Sequence, residues 1–473
     1  MGDNKALPSR DNEEQPLAEK GRLTNGGNSI ITGVIWKQLL LFALPLLIGN
    51  LFQQLYNTVD SVIVGNYVGK NALAAVGSSM SIINMLIGFF LGLSTGAGVI
   101  ISQYYGADAK KELHDAVHTT IAMILISGVF MTICGILFTP AILRMMGTPS
   151  EVMELSVRYL KIYFAGILSL MIYNMGAGIL RAIGDSKRPL YYLIVSSLVN
   201  VALDLLFVVG FQMGVAGVAY ATIIAQTVSA ALIIIRLIRT AEPYRLIPRD
   251  LKIHKNYLLK ILRVGLPAGL QQSIIAFSNV IVQSKINSFG AAAMAGCGAY
   301  TKVDAFVILP FMSLSLAGTT FVGQNIGARR YDRVRKTAHA SFLITLIVTL
   351  VLSILVYLFG PVILRIFTTE QDVIHYGSYM LKTLAPFYLF VAFANVCSGI
   401  IRGSGQTVIP MLIMVGTMCV VRVIWLTVMT PIMQDIMVVF LGYLITWVLC
   451  AALMLAYYLM GSWLTRYEKP RPR

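Results

Sequence analysis

The stretch LPLLIGNLFQQLYNTVDSVIVG, residues 44–65, places Asn50, Gln53, Gln54, Asn57 and Asp60 inside one of the most apolar parts of the chain. An apolar run of this length reads as a membrane-crossing helix, because about 20 residues at roughly 1.5 Å rise each cover a hydrocarbon core of about 30 Å. On that helix, positions 50, 53, 54, 57, 60 and 61 follow i, i+3, i+4, i+7 spacing and share one face. The span therefore carries a polar stripe that must face protein or water, since a carboxylate at mid-span costs about 2.5–3.5 kcal/mol on insertion scales.

Composition extends the reading to the whole chain. Of 473 residues, 57% are hydrophobic and 12% charged, with mean hydropathy +0.76, whereas soluble domains are about 25% charged. Twelve apolar runs recur, at 37–64, 78–101, 116–138, 154–178, 190–209, 215–237, 259–286, 298–322, 338–359, 374–400, 408–430 and 436–459. They lack the period-two alternation of a barrel strand, so helices are the spanning structure that satisfies their backbone.

The net charge of +16 does not form one nucleic-acid patch. Basic residues fall mainly in every second connection: Lys110 and Lys111; Arg181, Lys187 and Arg188; Arg236 to Arg263; Arg329 to Lys336; Arg402 and the tail RYEKPRPR. By the positive-inside rule that side is cytoplasmic, which puts both termini inside a multi-pass protein of the cell membrane. Residues 1–36 hold a polar N-terminal tail whose first 29 residues are turn-rich and lack the apolar core of a signal peptide. Cys134, Cys297, Cys397, Cys419 and Cys450 are scattered without metal spacing and read as small core residues, not disulfides.

The chain also repeats itself at a shift of 221 residues. NYVGKNALAAVG (66–77) falls on NSFGAAAMAGCG (287–298), SQYYGA on GQNIGA, PAILRMMGT on PVILRIFTT, and NMGAGILRAIGDSKRP on NVCSGIIRGSGQTVIP. Gln103 thus aligns with Gln324, Asn174 with Asn395 and Gly184 with Gly405. Six spans per half is an even number, so both halves enter the membrane in the same direction as parallel repeats. The expected fold is an all-α membrane protein of two six-helix bundles around a central cavity. The bundles run over 37–237 and 259–460, a basic linker over 238–258, and a basic tail over 461–473.

Two intramembrane acids stand out. Asp60 and Asp204 both lie a few residues from the extracellular ends of their spans, and Asn200 shares a helix face with Asp204 in NVALD. Thr222, in AYATIIAQ, reaches a similar depth. Two carboxylates, an amide oxygen and a hydroxyl suit a small hard cation such as sodium. The same acids could instead share or exchange protons. Asn57 and Asn174 are weaker members of this polar surface, and all these groups could simply hold helices together by hydrogen bonds.

LPLLIGNLFQQLYNTVDSVIVG opening the first half, GLPAGLQQSIIAFSNVIVQ opening the second and GQNIGA after the eighth span together resemble the multidrug and toxic compound extrusion (MATE) family over residues 37–460. The resemblance implies export of organic cations coupled to inward flow of sodium ions or protons. It also implies a first-half cation site from a first-span acid, an Asn-x-x-x-Asp pair and a sixth-span threonine, which match Asp60, Asn200, Asp204 and Thr222. The implied cycle needs no cofactor beyond the coupling ion, and the chain is expected to work as a monomer in the lipid bilayer. The second half lacks these acids: Asp60 falls on Val282 with a one-residue adjustment, while Asn200 and Asp204 fall on Val421 and Trp425.

Gln53 and Gln54 on the first-span stripe, and Asp304 in TKVDAF, are candidate substrate contacts. For Asp304 the alternative is an ion pair with Lys302 or solvation at a loop end. Arg422, deep in the eleventh span, must find a partner and reads as a helix anchor. Pro45, Pro267, Pro310 and Pro386 permit kinks. His114, His118, His254, His339 and His375 fall in or near connections and read as solvated. A lipid-linked oligosaccharide flippase of related architecture is the second reading, with a channel or receptor behind it. An enzyme is disfavoured by the lack of GxxxxGK[ST], HExxH or a tight His/Cys cluster.

Overall fold

The computed structural model describes residues 29–468, so the polar tail read at 1–28 and residues 469–473 lie outside the described residues. The first half comprises α1 (Ser29–Thr32), α2 (Ile35–Ile63), α3 (Lys70–Gly106), α4 (Lys110–Met145), α5 (Ser150–Ala165), α6 (Ile167–Ala182), α7 (Lys187–Asp204) and α8 (Val215–Arg239). The second comprises α9 (Lys255–Asn287), α10 (Ala291–Gly327), α11 (Tyr331–Leu364), α12 (Gln371–Leu384), α13 (Tyr388–Gly403), α14 (Val408–Val415), α15 (Arg422–Met433), α16 (Met437–Met460) and α17 (Thr465–Glu468). No strand occurs among the described residues.

Among the described residues ten spans are long and apolar enough to cross a membrane, with α12 and α13 forming one and α14 and α15 another. An eleventh is α5 with α6, bent by 49°. The span read at 154–178 is therefore two helices, which part at Gly166, where Ile223 of α8 packs onto a backbone that carries no side chain. The span read at 259–286 falls in α9, whose 33 residues suffice in length but are not apolar enough to be counted with these, since they carry Lys260, Arg263, Gln271, Gln272 and Gln283. Helices also outrun the apolar segments: α4 covers 110–145 because its polar opening KKELHD continues the same hydrogen-bond ladder. α2, α9 and α10 run unbroken through Pro45, Pro267 and Pro310, whereas Pro386 sits in a 3-10 turn, Ala385–Phe387, between α12 and α13.

The repeat is written into the backbone. Positive φ angles recur at Gly69 and Gly290, at Asp108 and Arg329, and at Gly184 and Gly405, each pair 221 residues apart. Side-chain bonds recur at the same shift: Ser94 Oγ donates to the Asn174 carbonyl at 2.9 Å, and Ser315 Oγ to that of Asn395 at 2.7 Å.

The halves exchange parts at the face that bears the basic connections. Leu39, Phe42, Ala43 and Leu46 of α2 belong to the core of the second half, and Ile261 and Val264 of α9 belong to that of the first. On one side of the seam α3 crosses α9 with Gly92 and Gly96 against Gly269 and Gly265, so close that a Cβ on any of them would strike backbone. Lipid tails give apolar helices little reason to associate, and such small-residue contacts restore tight packing. On the other side Phe42 meets the edge of Phe321, ring centroids 5.8 Å apart, and Asn50 Nδ2 reaches Ser313 Oγ at 3.4 Å. The ends of α3 and α10 then cross reciprocally. Gln103 Nε2 donates to the Gly403 carbonyl at 3.1 Å and Gln324 Nε2 to that of Ala182 at 2.7 Å. The repeat motifs SQYYGA and GQNIGA thus form one two-sided latch.

One histidine departs from the solvated reading. His118 is 1% exposed; its Nδ1 donates to the His114 carbonyl at 2.8 Å, leaving Nε2 to accept the Ile247 N–H at 3.0 Å. With Thr119 Oγ1 accepting the His254 N–H at 3.2 Å, it fastens the linker between halves onto α4.

Candidate functional site

The first-half acids converge. Asp60 lies on α2 one turn before a π-helical turn, Val64–Val68, and Asp204 is the last residue of α7 before another, Leu205–Gly210. Such π segments recur at functional positions because they interrupt the regular ladder. α2 packs against α7 and α7 against α8, which brings the Asp60 and Asp204 carboxyl groups within hydrogen-bonding reach of each other. Asp204 is fully buried, Asn200 is 2% exposed, and Thr222 and Gln226 are also buried.

The hydrogen-bond inventory of this pocket does not close. Asp60 Oδ1, both Asp204 carboxyl oxygens, both amide atoms of Asn200 and Gln226 Oε1 are buried without a protein partner. Thr222 Oγ1 donates to the Val218 carbonyl at 2.9 Å, so its lone pairs are what it offers the pocket. Each buried group left unpaired costs about 1–3 kcal/mol, more if charged. Two carboxylates that touch are held together only by something positive between them. The oxygens of Asp60, Asn200, Asp204, Thr222 and Gln226 make a set whose chemistry would fit a proton or a small hard cation.

Gln226 escaped the sequence reading although it ends the motif AYATIIAQ, one turn after Thr222 on the same face. Two tyrosines were also missed. The Tyr56 hydroxyl lies close to Gln53 and Gln226, and Tyr159 of α5 is buried near both acids. Tyrosine is common in spans, so only its neighbours reveal these two.

The remaining candidates separate. Asn57 is half-buried three residues before Asp60, and Gln54 is half-buried with its carbonyl accepting from Thr58 at 2.9 Å. Asn174 spends its amide on the Leu170 carbonyl at 2.9 Å, and Asn395 does the same to Val391 at 2.8 Å. A bond present in both halves marks Asn174 as a brace of the scaffold.

Asp304 makes no ion pair with Lys302, whose ammonium lies over the Phe367 ring at 5.3 Å. Instead Tyr388 and Tyr300 donate to Asp304 Oδ1 at 2.7 and 3.1 Å. The one-turn offset of Asp304 from Tyr300 on α10 and the packing of α13 against α10 create this arrangement. Arg422 is 4% exposed, donates to Thr446 Oγ1 at 2.9 Å and lies over the Tyr443 ring at 4.3 Å, anchoring α15 to α16.

Two repeated helical halves, joined by a reciprocal latch and bringing Asp60 and Asp204 together in one of them, define a multi-span membrane transporter. The MatE family model matches residues 45–206 and 267–428, one copy in each half, and the chain belongs to this family. It is 33% identical over 386 residues to the probable multidrug resistance protein YoeA of Bacillus subtilis, covering 80% of this chain and 83% of that protein. It is 26% identical over 447 residues to the probable multidrug resistance protein NorM of Thermotoga maritima, covering 93% and 95%. A solved transporter of the MOP superfamily from Pyrococcus furiosus aligns with a TM-score of 0.88 at 25% identity, over 95% of this chain and all of that one. A MATE family multidrug resistance transporter in an outward-facing conformation aligns equally well, with a TM-score of 0.88, 25% identity, and coverage of 95% and 100%. These relatives do not favour the flippase reading.

Proposed function

We propose that the chain is a multidrug efflux antiporter, which exports organic cations while a sodium ion or proton enters through the Asp60–Asp204 pocket. The observation that carries this reading is the approach of the half-buried Asp60 carboxyl to the fully buried one of Asp204, with Asp60 Oδ1 and both Asp204 oxygens buried and without a protein donor. In this reading the basic face is cytoplasmic, both termini lie inside, and the protein works as a monomer in the cell membrane.

Export proceeds by alternating access. With the latch closed, the first-half pocket communicates with the outside and takes up the coupling ion. Neutralising the carboxylates lets α2, α7 and α8 draw together, and the repacked wall of the central cavity holds the organic cation less well. Coupling then follows from differential affinity in the two states, and a potential of 100 mV adds about 2.3 kcal/mol per charge moved inward. Gln53, Gln54 and the Tyr300–Asp304–Tyr388 group are the substrate-facing candidates on the two sides of the cavity.

The test is efflux of a fluorescent organic cation from proteoliposomes under an imposed sodium gradient or an imposed pH gradient. One gradient drives wild-type export, which names the ion, and Asp60→Asn and Asp204→Asn each lose at least about tenfold in rate. Wild-type rates in both variants at equal incorporation overturn the assignment.

A further inference from the structure

Beside the latch, on the basic face, lies a cavity of about 360 Å³ whose walls come from α3, α9, the turn that leads into α14, and α17. Three cations line it: Lys260, Arg263 and Arg466, with Gln103, Gln406 and Tyr467 between them. None has a carboxylate partner among the described residues. Glu468, the acid nearest in sequence to Arg466, is engaged by Arg335 at 2.7 Å.

Two of the charges, Lys260 and Arg466, are held in place by neutral groups. Lys260 Nζ donates to the Tyr104 hydroxyl at 2.8 Å and lies 5.5 and 5.7 Å from the centroids of the Tyr104 and Tyr257 rings. Arg466 Nη2 donates to the Ser404 carbonyl at 2.6 Å and to the Tyr467 hydroxyl at 2.9 Å. These contacts fix position without neutralising charge, and each group keeps further N–H donors. The three side chains are solvent-exposed, so water screens their mutual repulsion, and a bound anion would relieve what remains.

The repeat shows that this cavity is not inherited from the scaffold. At the first-half counterpart of the seam, Lys260, Arg263 and Gln406 correspond to Gln38, Leu41 and Asp185, and Asp185 is paired with Arg188 at 2.6 Å. The chain itself covers that side. Ile30 of α1 packs over Gly184, while Arg333 holds the Ile30 and Gly33 carbonyls at 3.1 and 2.8 Å and Arg330 holds that of Ile31 at 3.0 Å. One seam is sealed by the protein; the other presents three unneutralised cations around an open volume within the range of ligand pockets.

We propose that this cavity binds a phosphate-bearing anion, either the headgroup of an anionic phospholipid of the adjacent leaflet or a soluble phosphate. Arginine donates two parallel N–H groups to phosphate oxygens and lysine adds a point charge, a combination suited to this chemistry. Basic pockets between spanning helices are also where anionic headgroups lodge. An anion here ties α9 to the turn after α13 and to α17, next to the bond from Gln103 to Gly403, and so fastens the seam on its open side. The inference does not depend on which ion drives transport.

The experiment uses the full chain in phosphatidylcholine nanodiscs, with phosphatidylglycerol included or inorganic phosphate added. Thermal unfolding and native mass spectrometry are read for wild type, for Lys260→Gln/Arg263→Gln/Arg466→Gln and for Arg263→Gln alone. Lys336→Gln, an exposed charge on the same face outside the cavity, is the control. Wild type and the control gain thermal stability and retain the anion, the triple variant binds at least tenfold more weakly, and the single variant falls between. A response to phosphatidylglycerol alone assigns the lipid, and a response to phosphate without it assigns the soluble anion. Equal binding by wild type and the variants that fold, or no anion effect on wild type, overturns the site; should the triple variant not fold, the single variant decides.

Discussion

Alanine at Gly106 or Gly327 should loosen the latch, and by the same amount from either side. A methyl group on Gly106 would lie 2.0 Å from the Gln324 carbonyl oxygen, and one on Gly327 would lie 2.0 Å from that of Gln103. An unstrained carbon–oxygen approach is about 3.3 Å, so α3 and α10 must part by about 1.3 Å at the crossing. That displacement also stretches the bonds from Gln103 to Gly403 and from Gln324 to Ala182. Overpacking of this kind costs about 1–3 kcal/mol, a factor of about 5–150 in the ratio of open to closed seam. The assay is the labelling rate of Ser102→Cys by a membrane-impermeant thiol reagent applied to the basic face. Ser102 is fully buried at the crossing, and the native cysteines are corrected for with the unsubstituted chain. Labelling should rise at least fivefold with Gly106→Ala and with Gly327→Ala, and stay unchanged with Gly77→Ala, whose Cβ would meet nothing within 4 Å. Unchanged labelling in both latch variants refutes the reasoning.

Two further outcomes follow from buried polar groups. Thr446→Val removes the hydroxyl that accepts from Arg422 and should lower stability by about 1–3 kcal/mol, while Arg422→Met, which removes the charge itself, should be close to neutral in the same thermal melt. His118→Ala removes the acceptor of the Ile247 N–H and should speed limited proteolysis after Arg245 and Arg249 without slowing reconstituted transport by more than about twofold. Acid should act in the same direction, because a proton on Nε2 abolishes the acceptor.

Most of the architecture was legible because the bilayer leaves few choices. Each span from 37–64 to 436–459 lies in or closely overlaps a helix or bent pair, and the constant shift of 221 residues foretold paired φ angles and paired bonds. The break at Gly166 was not legible: hydropathy sees an apolar residue there, and only the packing of Ile223 gives it meaning. Asp60, Asn200 and Asp204 could be singled out because acids inside spans are rare and expensive. Gln226 and Tyr56 could not, because periodicity supplies a face but not the neighbour across the gap. Asp304 shows the same limit, since Lys302 lies two residues away in sequence and its real partners, Tyr300 and Tyr388, sit one turn away and on another span.

The division between what the repeat keeps and what it drops bears directly on mechanism. Both halves keep the bonds that build the scaffold and the glutamines that close it. They differ where an unpaired group would be costly. Val282, in the place of Asp60, is buried among apolar residues, and Trp425, in the place of Asp204, donates to the Val438 carbonyl at 2.8 Å. Asp304 of the second half is already held by two tyrosine hydroxyls. Under the antiport reading, a cation therefore finds buried, unpaired carboxyl oxygens in the first half only among the described residues, and its arrival changes the packing of α2, α7 and α8. In that reading α2 would pass a one-sided change to the other half, because it bears Asp60 towards one end and is packed into the second-half core at the other.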